Sequence, residues 1–232
     1  MEIIESAPQA NGASEDSTRQ ALIATARRLF ADEGIHATSI RRITAEAGAS
    51  NQSAVHYHFE NKLGLLRAVL DDINRQLEPL QAEAYAELEA VMRERIPTVT
   101  EIVSIGFAPY VYLFQQSHEG RLGLRVLSRL TWESGSEAQD LLLQKVRPYF
   151  LRLTPMFQAA LPDKPTDVLD FQLYMAAANL IHGLSEITLL GREPDTPVAE
   201  LYRDRPLELL VHFYSYISAG VAAPLVQPFA PQ

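Results

Sequence analysis

The chain reads as all-α, with a short three-helix unit near the N-terminus and a larger helical bundle behind it. Two observations carry this. Alternating β-branched runs bounded by turns, the mark of strands, do not occur. Apolar residues instead recur at three- and four-residue spacing along most of the 232 residues, punctuated by cap residues and glycines.

The elements follow in order. Leu22, Ala26, Leu29 and Phe30 share one face of a first helix, capped by Asp16 or Ser17 and stopped by Gly34. A second helix starts after Thr38 or Ser39, buries Ile40, Ile43 and Ala47, and ends at Gly48. A short third helix is expected from Asn51 to His58, with Val55 and Phe59 turned inward. Asn61 caps a fourth helix beginning at Lys62, whose apolar side holds Leu66, Val69, Leu70 and Ile73. Pro79 should kink or split it. Further helices are expected at 98–117, 119–132, 137–160, 166–190 and 206–219, with bends or breaks at Pro109, Pro148 and Pro155. Residues 191–205 read as a loop, residues 1–16 as a disordered tail and residues 222–232 as a flexible tail. The head is therefore 17–70 and the body 71–221.

Composition is ordinary for a globular protein, 47% hydrophobic and 21% charged. The apolar stretches fall short of the roughly 20 residues a membrane span needs, and the acidic N-terminal residues lack the pattern of a signal peptide. There is no cysteine, which excludes disulfides and thiolate metal sites and fits a reducing cytoplasm. The net charge is −9, which taken alone opposes nucleic acid. Its distribution does not. The head holds seven bases against four acids, whereas the rest holds thirteen against twenty-five.

A tight glycine turn between the second and third helices suits a helix-turn-helix reader, whose third helix enters a major groove. The outer positions of that helix are Asn51, Gln52, Ser53, His56 and Tyr57, all able to hydrogen-bond. Asn and Gln can pair with adenine edges and Arg41 can reach guanine. Thr38, Arg42, Tyr57 and Lys62 suit phosphates.

Enzymatic signals are missing. There is no G-x-S-x-G and no Walker loop. His118-Glu119 lacks the second His of a zinc-protease motif. His56 and His58 are two apart and face away from each other in a helix. His182 and Glu186, at i and i+4, have metal-ligand spacing but read as a surface or interface pair. No cofactor and no metal are expected.

The segment from Ala24 to Leu66 resembles the N-terminal domain of TetR-family regulators. The matching residues are Ala26, Leu29-Phe30, Gly34, Ala37-Thr38-Ser39-Ile40-Arg41, Ile43, Ala47-Gly48, Tyr57-His58-Phe59 and Lys62. The resemblance implies phosphate contacts at Thr38 and Lys62, a base or phosphate contact at Arg41, and DNA contact at Gln52, Ser53 and His56. It also shows a departure, because Gly48 to Phe59 holds one residue more than the family's usual spacing.

The family further implies a homodimer on a palindromic operator, with the last two long helices pairing across the two-fold axis. The candidate interface is Phe171, Ala178, Ile181, His182 and Ser185 on one helix. Leu209, Phe213, Tyr216 and Ile217 supply it on the other. A ligand pocket in the bundle would be apolar with polar anchors. Phe107, Tyr110, Phe114, Trp132, Phe150 and Tyr174 are its candidate walls, with Arg129 and Asn179 as anchors. The expected protein is a cytoplasmic repressor of double-stranded DNA, released by a small apolar or aromatic effector and needing no membrane. Two alternatives stay open: an activator or partner-controlled regulator without a pocket, and an enzyme using the head only for assembly.

Overall fold

The computed structural model describes residues 10–49, 53–132, 135–192 and 196–224, with no side-chain detail at 10–14, 132 and 136. Every regular element among these is helical. The head is α1 (Ala10–Glu33), α2 (Ile40–Glu46) and α3 (Ser53–Phe59), and α4 (Lys62–Glu94) runs from it into the body. The body continues with α5 (Val99–Gly106), α6 (Ala108–Gln116), α7 (His118–Trp132), α8 (Ser136–Ala160), α9 (Thr166–Leu190), α10 (Pro197–Asp204) and α11 (Pro206–Ala222).

Local chemistry sets the head's boundaries. α1 starts at Ala10, earlier than the Asp16 or Ser17 cap and inside the expected tail. Alanines favour helix, and a Ser or Asp inside one costs only a few tenths of a kcal/mol. Gly34 ends it with φ +93, a conformation L side chains rarely adopt. Ser39 is the cap of α2, accepting from the Arg42 amide at 3.2 Å. At the other end Gly48 has φ +70, its amide bonds to Ala45 and the Ala49 amide bonds to Thr44. These are the two bonds of a Schellman stop. Asn61 caps α4, accepting from the Gly64 amide at 2.9 Å.

Three prolines expected to kink or split, or to bend or break, their helices do not interrupt them. α4 runs unbroken through Pro79, and α8 through Pro148 and Pro155. All three lie exposed, where water can take the carbonyl each leaves unpaired. Pro109 does mark a break. The expected helix 98–117 divides there, and Pro109 serves as a first-turn residue of α6. The expected loop 191–205 contains α10, started by a Thr196 cap and Pro197. The helix expected to end at residue 219 continues to Ala222.

One hydrophobic core runs through both parts, from Leu22, Phe30 and Ile43 in the head through Ile73 and Leu77 of α4 to Phe157 and Leu180 in the body. The head is held to the body by charge as well. Arg27, buried in α1, pairs with Asp72 of α4 at 2.8 Å and Glu119 of α7 at 3.4 Å. α9 packs against α7, α8 and α11. Contrary to the sequence expectation, it is long and apolar enough to cross a membrane by length and composition.

Candidate nucleic-acid interface

α3 owes its pose to two side chains. Val55 and Phe59 are buried, which turns Ser53, His56 and Tyr57 outward. Tyr57 is 71% exposed. The Arg19 guanidinium lies 5.4 Å from the Phe59 ring centre and covers its outer side. Asn51 and Gln52, which precede α3, fall outside the described residues, as does part of the turn that holds the extra residue.

Around α3 the expected phosphate residues divide. Lys62 sits in the first turn of α4 and donates to the His36 carbonyl at 3.4 Å, on the side of the α1–α2 turn. Arg41 is exposed. Arg42 is exposed too, but its guanidinium pairs with Glu33 and with Glu46, the latter at 2.8 Å, and Arg28 also pairs with Glu46. The hydrogen bond from Arg42 holds the Glu46 carboxyl below its ordinary range, and Glu46 raises Arg42 in return. A phosphate approaching Arg42 therefore competes with carboxylates already in place. The (i, i+4) spacing of Arg42 and Glu46 was a readable sign of this.

Thr38 departs from the expectation. It is fully buried, and its hydroxyl donates to the carbonyls of Gly34 at 2.8 Å and Leu29 at 3.3 Å. In this structure Thr38 locks the α1–α2 turn, and its hydroxyl cannot reach a phosphate.

The expected pocket walls are also redistributed. Phe107 and Tyr110 are fully buried and pack with Tyr149 and Phe150: Tyr110 stacks on Phe150 at 5.4 Å and Phe107 meets it edge-on at 5.3 Å. Tyr149 donates to the Gly106 carbonyl at 2.7 Å. Burial pushes both tyrosine hydroxyls far above their ordinary range. A groove of about 480 Å³ opens between α8 and α9. Phe150 and Tyr174 line it with Leu142, Leu173 and Ile181, and Thr131, Arg147 and Asp170 add polarity. Phe114 and Asn179 are half-buried but do not line it. The Trp132 side chain falls outside the described residues. Arg129 is no anchor: it donates to the carbonyls of Ala31 and Asp32 at 3.1 and 3.0 Å, closing the C-terminal turn of α1. That contact, and the Arg125–Asp32 pair at 2.9 Å, went unread in the sequence because both partners are distant.

The expected interface residues split by exposure. Phe171 and Tyr216 are exposed, joined by Tyr174, Leu207 and Val211. Ala178, Leu209 and Phe213 are half-buried. Ile181, Ser185 and Ile217 are buried within the chain, which corrects their assignment to a surface. Ser185 donates to the Ile181 carbonyl at 2.7 Å. Half-buried His182 is held between the hydroxyls of Ser128 and Thr131, at 2.7 and 2.6 Å, and burial lowers it from its ordinary range. Both ring nitrogens are thus engaged away from Glu186. Among the described residues no group of three or more His, Cys, Asp or Glu could hold a metal ion.

Comparison with known proteins agrees with this geometry. The family model for bacterial regulatory proteins of the tetR family matches residues 22–69, and the tetracyclin repressor-like C-terminal domain matches residues 106–216. No curated protein matches the chain by sequence. Among solved structures, a TetR-family regulator from Streptomyces coelicolor superposes with a TM-score of 0.56 at 20% identity, over 89% of this chain and 97% of that one. NalD, the secondary repressor of the MexAB-OprM multidrug efflux pump in Pseudomonas aeruginosa, gives 0.55 at 19% over 94% and 100%. A transcriptional regulator from Saccharomonospora viridis in complex with choline gives 0.54 at 18% over 92% and 100%. At such identities the likeness is one of fold, and the two family models, which together span head and body, carry the assignment. The chain belongs to the TetR family of DNA-binding bacterial transcription regulators.

Proposed function

We propose that the protein is a cytoplasmic homodimeric repressor that leaves a palindromic operator when a small apolar or aromatic molecule enters the α8–α9 groove. The observation behind the ligand-controlled part is the position of α7. Its Thr131 lines the groove, while its Arg129 holds the last turn of α1. A ligand that moves Thr131 displaces the helix on which the head is docked. Its effect is bounded by its differential affinity for the two arrangements. Ser53, His56 and Tyr57 would read DNA with Arg41, and Lys62 would take a phosphate. NalD is a repressor and the S. viridis regulator holds choline, so this fold accommodates both activities.

The test is the affinity of the full chain for its own upstream DNA against random DNA at moderate salt, with and without a panel of aromatic compounds. Specific binding, lost with at least one compound, is expected. Equal affinity for both DNAs sinks the reading. One observation favours control by a protein partner instead: Phe107 and Tyr110 are fully buried and packed against Phe150 in the core. Specific DNA binding that ignores every compound, together with no ligand-induced change in melting, would point that way.

A further inference from the structure

His56 lies on the outward side of α3, opposite buried Val55 and Phe59. Its ring is not free to choose its protonation pattern. Nδ1 lies 2.6 Å from the main-chain carbonyl oxygen of Glu60. A carbonyl accepts and never donates, so Nδ1 must carry the proton. The same two residues are tied a second time, the Glu60 amide donating to the His56 carbonyl at 3.1 Å. Glu60 itself holds a left-handed φ of +66, which turns its carbonyl back toward the helix end. The ring is thereby oriented by the last turn of α3, with Nε2 at its far edge.

We propose that His56 is a specificity-determining residue whose Nε2, left as a lone-pair acceptor by the Nδ1–H bond to Glu60, reads an amino group on a base edge. The inference rests on α3 being the reading helix of the proposed function. With Nδ1–H fixed, neutral Nε2 offers only a lone pair. In the major groove that selects the amino groups of adenine N6 or cytosine N4.

The experiment selects sites from a random double-stranded DNA library with the full chain at mildly alkaline pH. Wild type and His56→Ala are compared. The exposed position lets H56A fold, which its melting curve confirms. At one position of each half-site the wild type should enrich adenine or cytosine over guanine and thymine by about 2- to 10-fold, the range for one net hydrogen bond. H56A should lose the preference at that position and keep it elsewhere. Guanine or thymine enriched there by the wild type, or the same preference kept by H56A, overturns the proposal while leaving the DNA-reading function intact. No enriched site overturns both. Long-range proton–nitrogen NMR of the free protein at pH 8 should show His56 protonated at Nδ1, and protonation at Nε2 instead overturns the inference without reference to DNA.

Discussion

Single residues decide the local geometry. Thr38 is the sharpest case, because its position invites a phosphate contact and its burial gives it another duty. Replacing it by valine keeps the shape but leaves the carbonyls of Gly34 and Leu29 without their donor. T38V should lose about 1–3 kcal/mol of stability, the cost of unmade buried hydrogen bonds, read by denaturant unfolding. DNA affinity per folded molecule should change little, whereas a phosphate-contact role predicts the opposite pairing of effects. Glu101 gives a pH signature. A hydrogen bond from Arg95, then bonds from the Thr98 amide and hydroxyl, hold its carboxyl down at about 2. Its folded value lies below the unfolded one, so its stabilising contribution is complete above the ordinary carboxylate range. It fades as pH falls from about 4.5 toward about 2. Glu101→Gln should flatten the wild-type decline in melting temperature over that window, and an unaltered decline would refute the assignment. Residues whose role depends on chain neighbours were legible in the sequence: Gly34, Gly48 and Asn61 sit where caps and stops require them. Thr38 was not, because its burial depends on how α1 and α2 fold back on each other.

At the scale of elements, most helix starts and stops were readable, but the start of α1, the presence of α10 and the end of α11 were not. The periodicity of 166–190 gave α9 its full extent, while Pro79, Pro148 and Pro155 were overruled by helices packed along their other faces. Two contacts between elements are open to test. Arg129→Met should cost about 1.5–3 kcal/mol, since hydrogen bonds from a charged group to the carbonyls of Ala31 and Asp32 are lost. Denaturant unfolding measures this, and it should also blunt any effector's influence on DNA binding. Gly183 of α9 lies against the Phe213 ring of α11. A Cβ there would lie 2.6 Å from the Phe213 ring, so Gly183→Ala must push that ring away. A loss of about 1–3 kcal/mol is expected from such overpacking, and unchanged stability would show that Phe213 yields freely.

For the whole molecule, the exposed apolar side chains on α9 and α11 predict assembly. Among the described residues Val211, Tyr216 and Phe171 are 60–64% exposed. Val211→Glu should leave the fold and its melting curve near wild type but shift the sedimentation mass from dimer to monomer. Binding to a two-half-site duplex should weaken by at least about 10-fold, the equivalent of 1.4 kcal/mol. A wild-type chain that sediments as a monomer at micromolar concentration would remove the dimer from the proposal. The sequence assigned this surface to α9 and α11, where Phe171 and Tyr216 are exposed, but could not say which side of each helix looks outward. Ile181, Ser185 and Ile217 differ from Phe171 and Tyr216 only in angle about the helix axis, and that angle is set by α5, α7 and α8 packing behind them. The pocket was harder still, because an aromatic that fills a core and one that lines a groove carry the same signal.

Arg129 grips main-chain carbonyls, and every residue but its side-chain chemistry has one. The grip therefore places no demand on which amino acids occupy positions 31 and 32. A head of different DNA preference seated on this body would need a first helix that ends at the same length, keeps Arg27 and Asp32, and carries apolar residues where Leu22, Phe30 and Ala31 continue the core. The joint makes its demand on the length of the first helix and on its buried face.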